Sequence, residues 1–441
     1  MEFKIEKLVY GGDGLARLPA DATGKGKAAF IPFVLEGEEI EASLTEQRPG
    51  FARGRLDSVL RPSPERVVPP CPHFGVCGGC HYQHASFAEQ LRMKTEILRE
   101  TVHRMAKVEL PEEIRVHSSP PWNYRNRARL AIRQLEGTNG AGFCLGYRRN
   151  SSEEILAVEE CPIVSPLLQK AITALWGLGL GGQVPASFQE VELFANAEDA
   201  KLMVSLHQGS GGPGGSLESF VPQLQAQLPE VESIALFGER RRQHKGQDAQ
   251  EQKPRILAGS GSIRYAVLGQ DYEVSAGAFF QSNRHLIPAL VSLVTGGRKG
   301  GTALDLYAGG GLFSVPLAAQ FERVVAVEYS PASFHDLRRN LPPHVKAVRS
   351  TAEAYLQEAG KKLRPELIVV DPPRTGLGAK AAHNLAECHA PRITYVSCDP
   401  ATLARDLVVL SEAGYSVEQA HLVDLFPQTY HLETVLHLAL A

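Results

Sequence analysis

A chain of 441 residues is long enough for two or three domains and a sizeable buried core. With 43% apolar and 22% charged residues it has a globular composition, and no apolar run approaches the ~20 residues that span a bilayer. The net charge of −3 gives no global pull toward nucleic acid or membrane, so any such surface has to be local.

The opening MEFKIEKLVY mixes charged with apolar residues and carries no signal-peptide core, so a cytoplasmic chain is expected. There, cysteines serve catalysis or metal binding more often than disulfides, and their number here, seven, is odd. Within residues 1–60, KIEKLVYGGDGLARL, KAAFIPFVL, EEIEASLTEQ and FARGRLDSVL read as short strands split by Gly, Pro and acidic turns. Five strands of this kind predict a small β-barrel of the oligonucleotide-binding type. The pattern resembles a TRAM domain, an RNA-binding module.

The polar, proline-rich RPSPERVVPP marks a boundary and opens a central α+β domain expected over 61–270. It leads into CPHFGVCGGCHYQH, where Cys71, Cys77 and Cys80 follow a C-x5-C-x2-C spacing. Three thiolates want a fourth ligand; Cys161 is the candidate and Cys144 its rival. Such a set suits an iron–sulfur cluster or a structural zinc, and the spacing alone does not separate them. His81 and His84 read as loop or core residues. From 87 to 105, Leu91, Ile97, Leu98 and Val102 recur near helical spacing and predict an amphipathic helix that packs on a domain, including the C-terminal one.

Arg115 to Asn150 carries seven arginines against one acid, Glu136. Alternation in NYRNRARLAIR puts Arg125, Arg127 and Arg129 on one strand face, with Tyr124 among the interleaved aromatics. Arginine forks match phosphate geometry and aromatic faces accept unstacked bases, so this stretch is the expected RNA face. Residues 151–270 alternate strand-like runs with breakers, and HQGSGGPGGS and RRRQHKGQDAQEQKPR read as surface loops.

A doubly wound α/β domain is expected over 271–441. TALDLYAGGGLFS reads as strand, glycine turn (Gly309 to Gly311) and helix, and RVVAVEYS as a second strand ending at Glu328. About 20 residues separate the turn from that acid, which can take both hydroxyls of a ribose. A third strand runs to Thr351 and ELIVVDPPRTGLG supplies a fourth ending at Asp371. ITYVSCDP is the fifth; it delivers Cys398 to the carboxyl edge of the sheet, where ligands bind and a thiolate can act as nucleophile.

Taken together, CPHFGVCGGC, ECPI, AFFQSN, LDLYAGGGLFS, VVDPPRTGL, VSCDPATLARDL and DLFPQTYHLETV resemble the RNA uracil-5-methyltransferases, in particular the bacterial 23S rRNA branch. The resemblance implies an S-adenosylmethionine-dependent enzyme that makes 5-methyluridine in RNA, acting as a monomer without a membrane partner. It assigns Cys398 as nucleophile and Glu433 as base. Gln281, Tyr307, Gly309, Gly311, Glu328, Thr351 and Asp371 then surround the methyl donor, and Cys71, Cys77, Cys80 and Cys161 hold a [4Fe–4S] cluster. The chain departs from the family at Ala308 (often Cys), Leu312 (often Asn or Thr) and Thr351 (usually Asp or Asn). A tRNA substrate, or a non-catalytic iron–sulfur RNA-binding protein, are the competing expectations.

Overall fold

The computed structural model describes residues 1–441 except 20–25, 136–141, 210–215 and 240–252. Glu136 and much of the two loops expected after residue 207 thus lie outside the described residues.

The N-terminal unit is a sheet of six strands rather than five, in the order Glu2–Lys4, Glu39–Gln47, Phe51–Arg61, Ala28–Pro32, Asp13–Arg17, Lys7–Leu8. The extra strand arises because Gly11 and Gly12, at φ 109° and 97°, turn the first run back on itself. Alternation along Glu39–Gln47 sends Ile40 and Ala42 inward, against Phe3, Ile31 and Val34.

The central unit is a seven-stranded sheet, mostly antiparallel, running from Ile155–Ala157 at one edge to Arg255–Ala258 at the other. Helices Pro166–Leu180 and Leu217–Gln227 share its core through Leu168, Ile172, Leu175, Phe220 and Leu224.

The third sheet has eight strands, ordered Lys346–Arg349, Phe321–Glu328, Gly300–Leu306, Leu367–Val370, Arg392–Ser397, Thr434–Leu440, Tyr415–Val423, Ile114–His117. The first five are parallel, and Thr434–Leu440 enters antiparallel. Strand order reverses between Gly300–Leu306 and Leu367–Val370, which opens a crevice at their carboxyl ends.

Ile114–His117 pairs with Tyr415–Val423, and the helix Phe87–Ala106 buries Met93, Ile97, Leu98 and Val102 in the core of this third unit. The helix is capped by Ser86, which accepts from Glu89 N, and stopped by Lys107 in the left-handed region. The hairpin Ser262–Val267/Gln270–Ser275 also packs there, beside Leu290 and Phe313. Apolar faces at 87–117 and 262–275 find their partners in the C-terminal sheet, a pairing that local pattern does not encode. No helix among the described residues is long and apolar enough to cross a membrane.

Candidate active site

Four strand ends meet at the crevice. After Gly300–Leu306 the chain turns through Tyr307 (φ 62°), Gly309 (φ 55°) and Gly311 (φ 93°), conformations that are cheap only for glycine. Glu328 braces the turn: its carboxylate accepts from Gly309 N at 2.8 Å and from Ser330 N at 2.7 Å. Behind it, Asp305 is fully buried; Ser314 donates to one carboxyl oxygen, and the other has no hydrogen-bond partner. Burial, with Glu328 adding, pushes the Asp305 carboxyl up to about 7. Asp371 is likewise pushed up to about 7 by burial and then by Asp305. Three carboxyls on adjacent strand ends, short of compensating charge, suit a cationic ligand.

Cys398 lies one residue beyond the strand Arg392–Ser397, and Asp399 caps the helix Pro400–Glu412 by accepting from Ala401 N and Thr402 N, both at 3.0 Å. Ser397 pairs with Thr434 in the antiparallel ladder, so Cys398 and Glu433 leave the sheet at the same rim. Burial pushes the half-buried Cys398 thiol up to about 12, with Glu433 and Asp371 adding and Arg374 opposing. Glu433 is buried, and its carboxyl is raised well above the usual range by burial and by Asp371, again opposed by Arg374. Cys398 therefore holds its proton at neutral pH in the free protein. Arg374 in turn faces the His431 ring at 3.3 Å.

A second concavity, about 540 Å³, is lined by Cys71, Cys77, Cys80 and Cys161 together with Arg125, Arg129, Arg148 and Arg149, and reaches Arg374 and His431 at its far side. Cys144 is not among its lining residues. Burial raises the thiols of Cys77, Cys80 (to about 12) and Cys161, and the cysteines raise one another. Among the described residues, no three His, Cys, Asp or Glu side chains come close enough together to hold a single metal ion.

The expected RNA face needs correction. Tyr124 is completely buried and its hydroxyl donates to the Pro427 carbonyl at 3.0 Å, so it offers no stacking surface. Arg127 is mostly buried, paired with Glu192 and donating to the Ala278 carbonyl. Arg129 pairs with Glu190, and Arg125 donates to the Arg127 carbonyl beside the cysteines rather than extending the strand. Five of the seven arginines of this stretch sit in ion pairs with glutamates: Glu113, Glu153 and Glu154 flank the stretch, and Glu190 and Glu192 come from a distant strand. A charge excess along the sequence becomes near balance in space.

Among the expected donor-binding residues, Gln281 is buried next to the core residue Phe280. Thr351 is exposed and spends its hydroxyl capping Ala352–Tyr355, where it accepts from Ala354 N at 3.2 Å. Ala308 packs on Ala326 and Leu337, and Leu312 is buried with its carbonyl accepting from Tyr272. Sequence reasoning missed Asp305 and Arg374. Both stand inside recognised runs, LDLYAGGG and DPPRTGL, but only their burial and neighbours reveal their charge relations.

Residues 1–56 match the TRAM domain family, and residues 265–440 match the family described as tRNA (Uracil-5-)-methyltransferase. The 23S rRNA (uracil(1939)-C(5))-methyltransferase RlmD of Halomonas elongata is 32% identical over 99% of this chain and 88% of its own length. The enzyme of the same name from Shewanella amazonensis is 31% identical over 98% and 93%. The fold is shared with the Pyrococcus abyssi tRNA (uracil-54, C5)-methyltransferase, solved with S-adenosyl-L-homocysteine, at a TM-score of 0.72 and 23% identity over the whole of both chains. With its crevice, its paired cysteine and glutamate and its full-length relatives, the chain belongs to the TRAM-bearing RNA (uracil-5-)-methyltransferases.

Proposed function

We propose that this protein methylates carbon 5 of a uracil in 23S rRNA, with Cys398 as nucleophile and Glu433 as base. The observation that carries the reading is the convergence of those two side chains at one rim beside the acidic crevice. Carbon 5 of uracil is a weak nucleophile. Addition of the Cys398 sulfur at carbon 6 moves negative density to carbon 5, the atom that receives the methyl group. Glu433 then takes the carbon 5 proton, and the carbon–sulfur bond breaks to return the cysteine. Its raised pKa makes Glu433 a stronger base once ionised, and Arg374 favours the thiolate needed at the start.

S-adenosylmethionine, when bound, supplies a methyl group on a positively charged sulfur. The residues fit it: Asp305 has an unused carboxyl oxygen, Glu328 can accept from ribose hydroxyls, and Gly309 and Gly311 allow close backbone approach. Tyr307, Gln281 and Asp371 complete the proposed set, with Thr351 at its edge.

A stacked uracil is not accessible from both faces, so the target is flipped out. The arginines that line the second concavity (Arg125, Arg129, Arg148 and Arg149), together with the N-terminal unit, form the proposed RNA face. Cys71, Cys77, Cys80 and Cys161 are proposed to hold a [4Fe–4S] cluster as a structural tie, because methyl transfer is redox-neutral. Gathering four mutually interacting thiols in one concavity is what supports it.

Cys398→Ala should bind RNA and transfer no methyl group, whereas Glu433→Gln should accumulate a covalent protein–RNA adduct on a denaturing gel. Turnover by Cys398→Ala refutes the assignment. The fold likeness to a tRNA enzyme favours tRNA as the second reading. Mass mapping of 5-methyluridine in rRNA and tRNA, from cells with and without the protein, decides between them.

A further inference from the structure

We infer that Tyr10, from the N-terminal unit, is a positioning residue for Cys398. This rests on the reading of Cys398 as nucleophile. The Tyr10 hydroxyl donates to the Cys398 carbonyl oxygen at 3.3 Å, across 388 residues of sequence. Its ring meets that of Tyr430 edge-on, centroids 5.6 Å apart, and Tyr430 stands three residues before Glu433. The turn that carries Tyr10 is held close. Gly12 (φ 97°) lies against both the His81 and the Tyr430 side chains, since a Cβ there would meet each at 3.4 Å, an ordinary van der Waals distance. The Asp399 side chain also lies against the Tyr10 hydroxyl, and together with burial it holds the phenol proton firmly in place.

Cys398 has left the ladder that ends at Ser397, so its peptide plane is no longer fixed by strand pairing. Anchoring its carbonyl restricts rotation of the Cys398–Asp399 peptide, and with it the direction in which Cα–Cβ aims the sulfur. Small losses of aim at a reacting atom are expensive in rate. The N-terminal unit therefore does more than add RNA-binding area: it supplies one strut of the catalytic turn.

The test is Tyr10→Phe in the full-length chain, which removes the hydroxyl and keeps the ring contact with Tyr430. The probe is an RNA substrate carrying 5-fluorouridine, whose carbon 5 has no proton to lose, mixed with S-adenosylmethionine. The expected result is covalent adduct formation slowed about tenfold at saturating RNA, with RNA affinity and melting temperature unchanged. Tyr10→Ala, which also removes the ring contact, should be slower still. Wild-type adduct rates in Tyr10→Phe, or a loss that saturating RNA restores, would overturn the inference while leaving Cys398 as nucleophile. If the wild-type protein itself forms no adduct, the nucleophile assignment fails and this inference fails with it.

Discussion

Ser397 and Thr434 face each other across an antiparallel strand pair, and that register sets Cys398 and Glu433 side by side at the end of the sheet. A slip of one residue would turn one of them to the opposite face. The proposed chemistry thus depends on strand pairing as much as on residue type.

Glu433→Gln should be more stable than the wild type. The folded state raises the Glu433 pKa, so its favourable contribution exists only below the unfolded carboxylate pKa and is lost as pH rises through the folded value. Glutamine does not titrate, so the advantage of the variant should grow with pH to about 1 kcal/mol near neutrality. Urea unfolding of both proteins between pH 5 and 8 checks this; equal pH slopes would contradict it.

Cys398 should alkylate slowly in the free protein. A thiol near 12 is ionised at about one part in ten thousand at pH 8. Arg374→Met removes a cation that favours the thiolate and should slow the reaction further, by about tenfold. Peptide mapping after timed iodoacetamide treatment reads the rate at Cys398; labelling as fast as an ordinary exposed cysteine would be inconsistent with this environment.

Lys94 and Asp424 form an ion pair with both side chains at 0% exposure, 2.6 Å apart, and Lys94 also donates to the Phe426 carbonyl. The pair ties the helix Phe87–Ala106 to the loop that carries Tyr430 and His431. Lys94→Met leaves a buried carboxylate unpaired and should cost about 3–5 kcal/mol, with reduced methylation. Adding Asp424→Leu should recover most of the stability, since a well-packed apolar pair rivals a buried ionic one. A double-mutant cycle in urea measures both, and additive losses would rule out the coupling.

If the four-cysteine concavity holds a [4Fe–4S] cluster, anaerobic reconstitution with iron and sulfide should leave about four iron atoms per chain. Cys161→Ala should lose them and Cys144→Ala should keep them, since only Cys161 lines the concavity. Iron retained by Cys161→Ala would break the ligand assignment.

Much of the fold was legible locally. The glycine turn at Gly309 to Gly311, the acid at Glu328 and the strand–turn–helix around Cys398 are short-range signals, and all stand where their spacing puts them. The helix expected over 87–105 is present at Phe87–Ala106 because its apolar period and its Ser86 cap are both written in the sequence. Tyr124, Arg127 and Arg129 misled because burial and ion pairing come from partners remote in the chain: the Pro427 carbonyl, Glu192 and Glu190. Asp305 looked like an ordinary strand residue, and its unsatisfied oxygen emerges only once neighbouring strands desolvate it.

Residue type and spacing alone were enough for the α/β class and for the strand–turn–helix elements around Gly309 and Cys398, because each rests on a pattern confined to a few consecutive positions. Which arginines remain available, where 87–117 and 262–275 pack, and how Tyr10 reaches Cys398 were settled only by the assembled chain. Those are contacts between surfaces far apart in sequence, and long-range burial and charge balance leave no local periodicity to read.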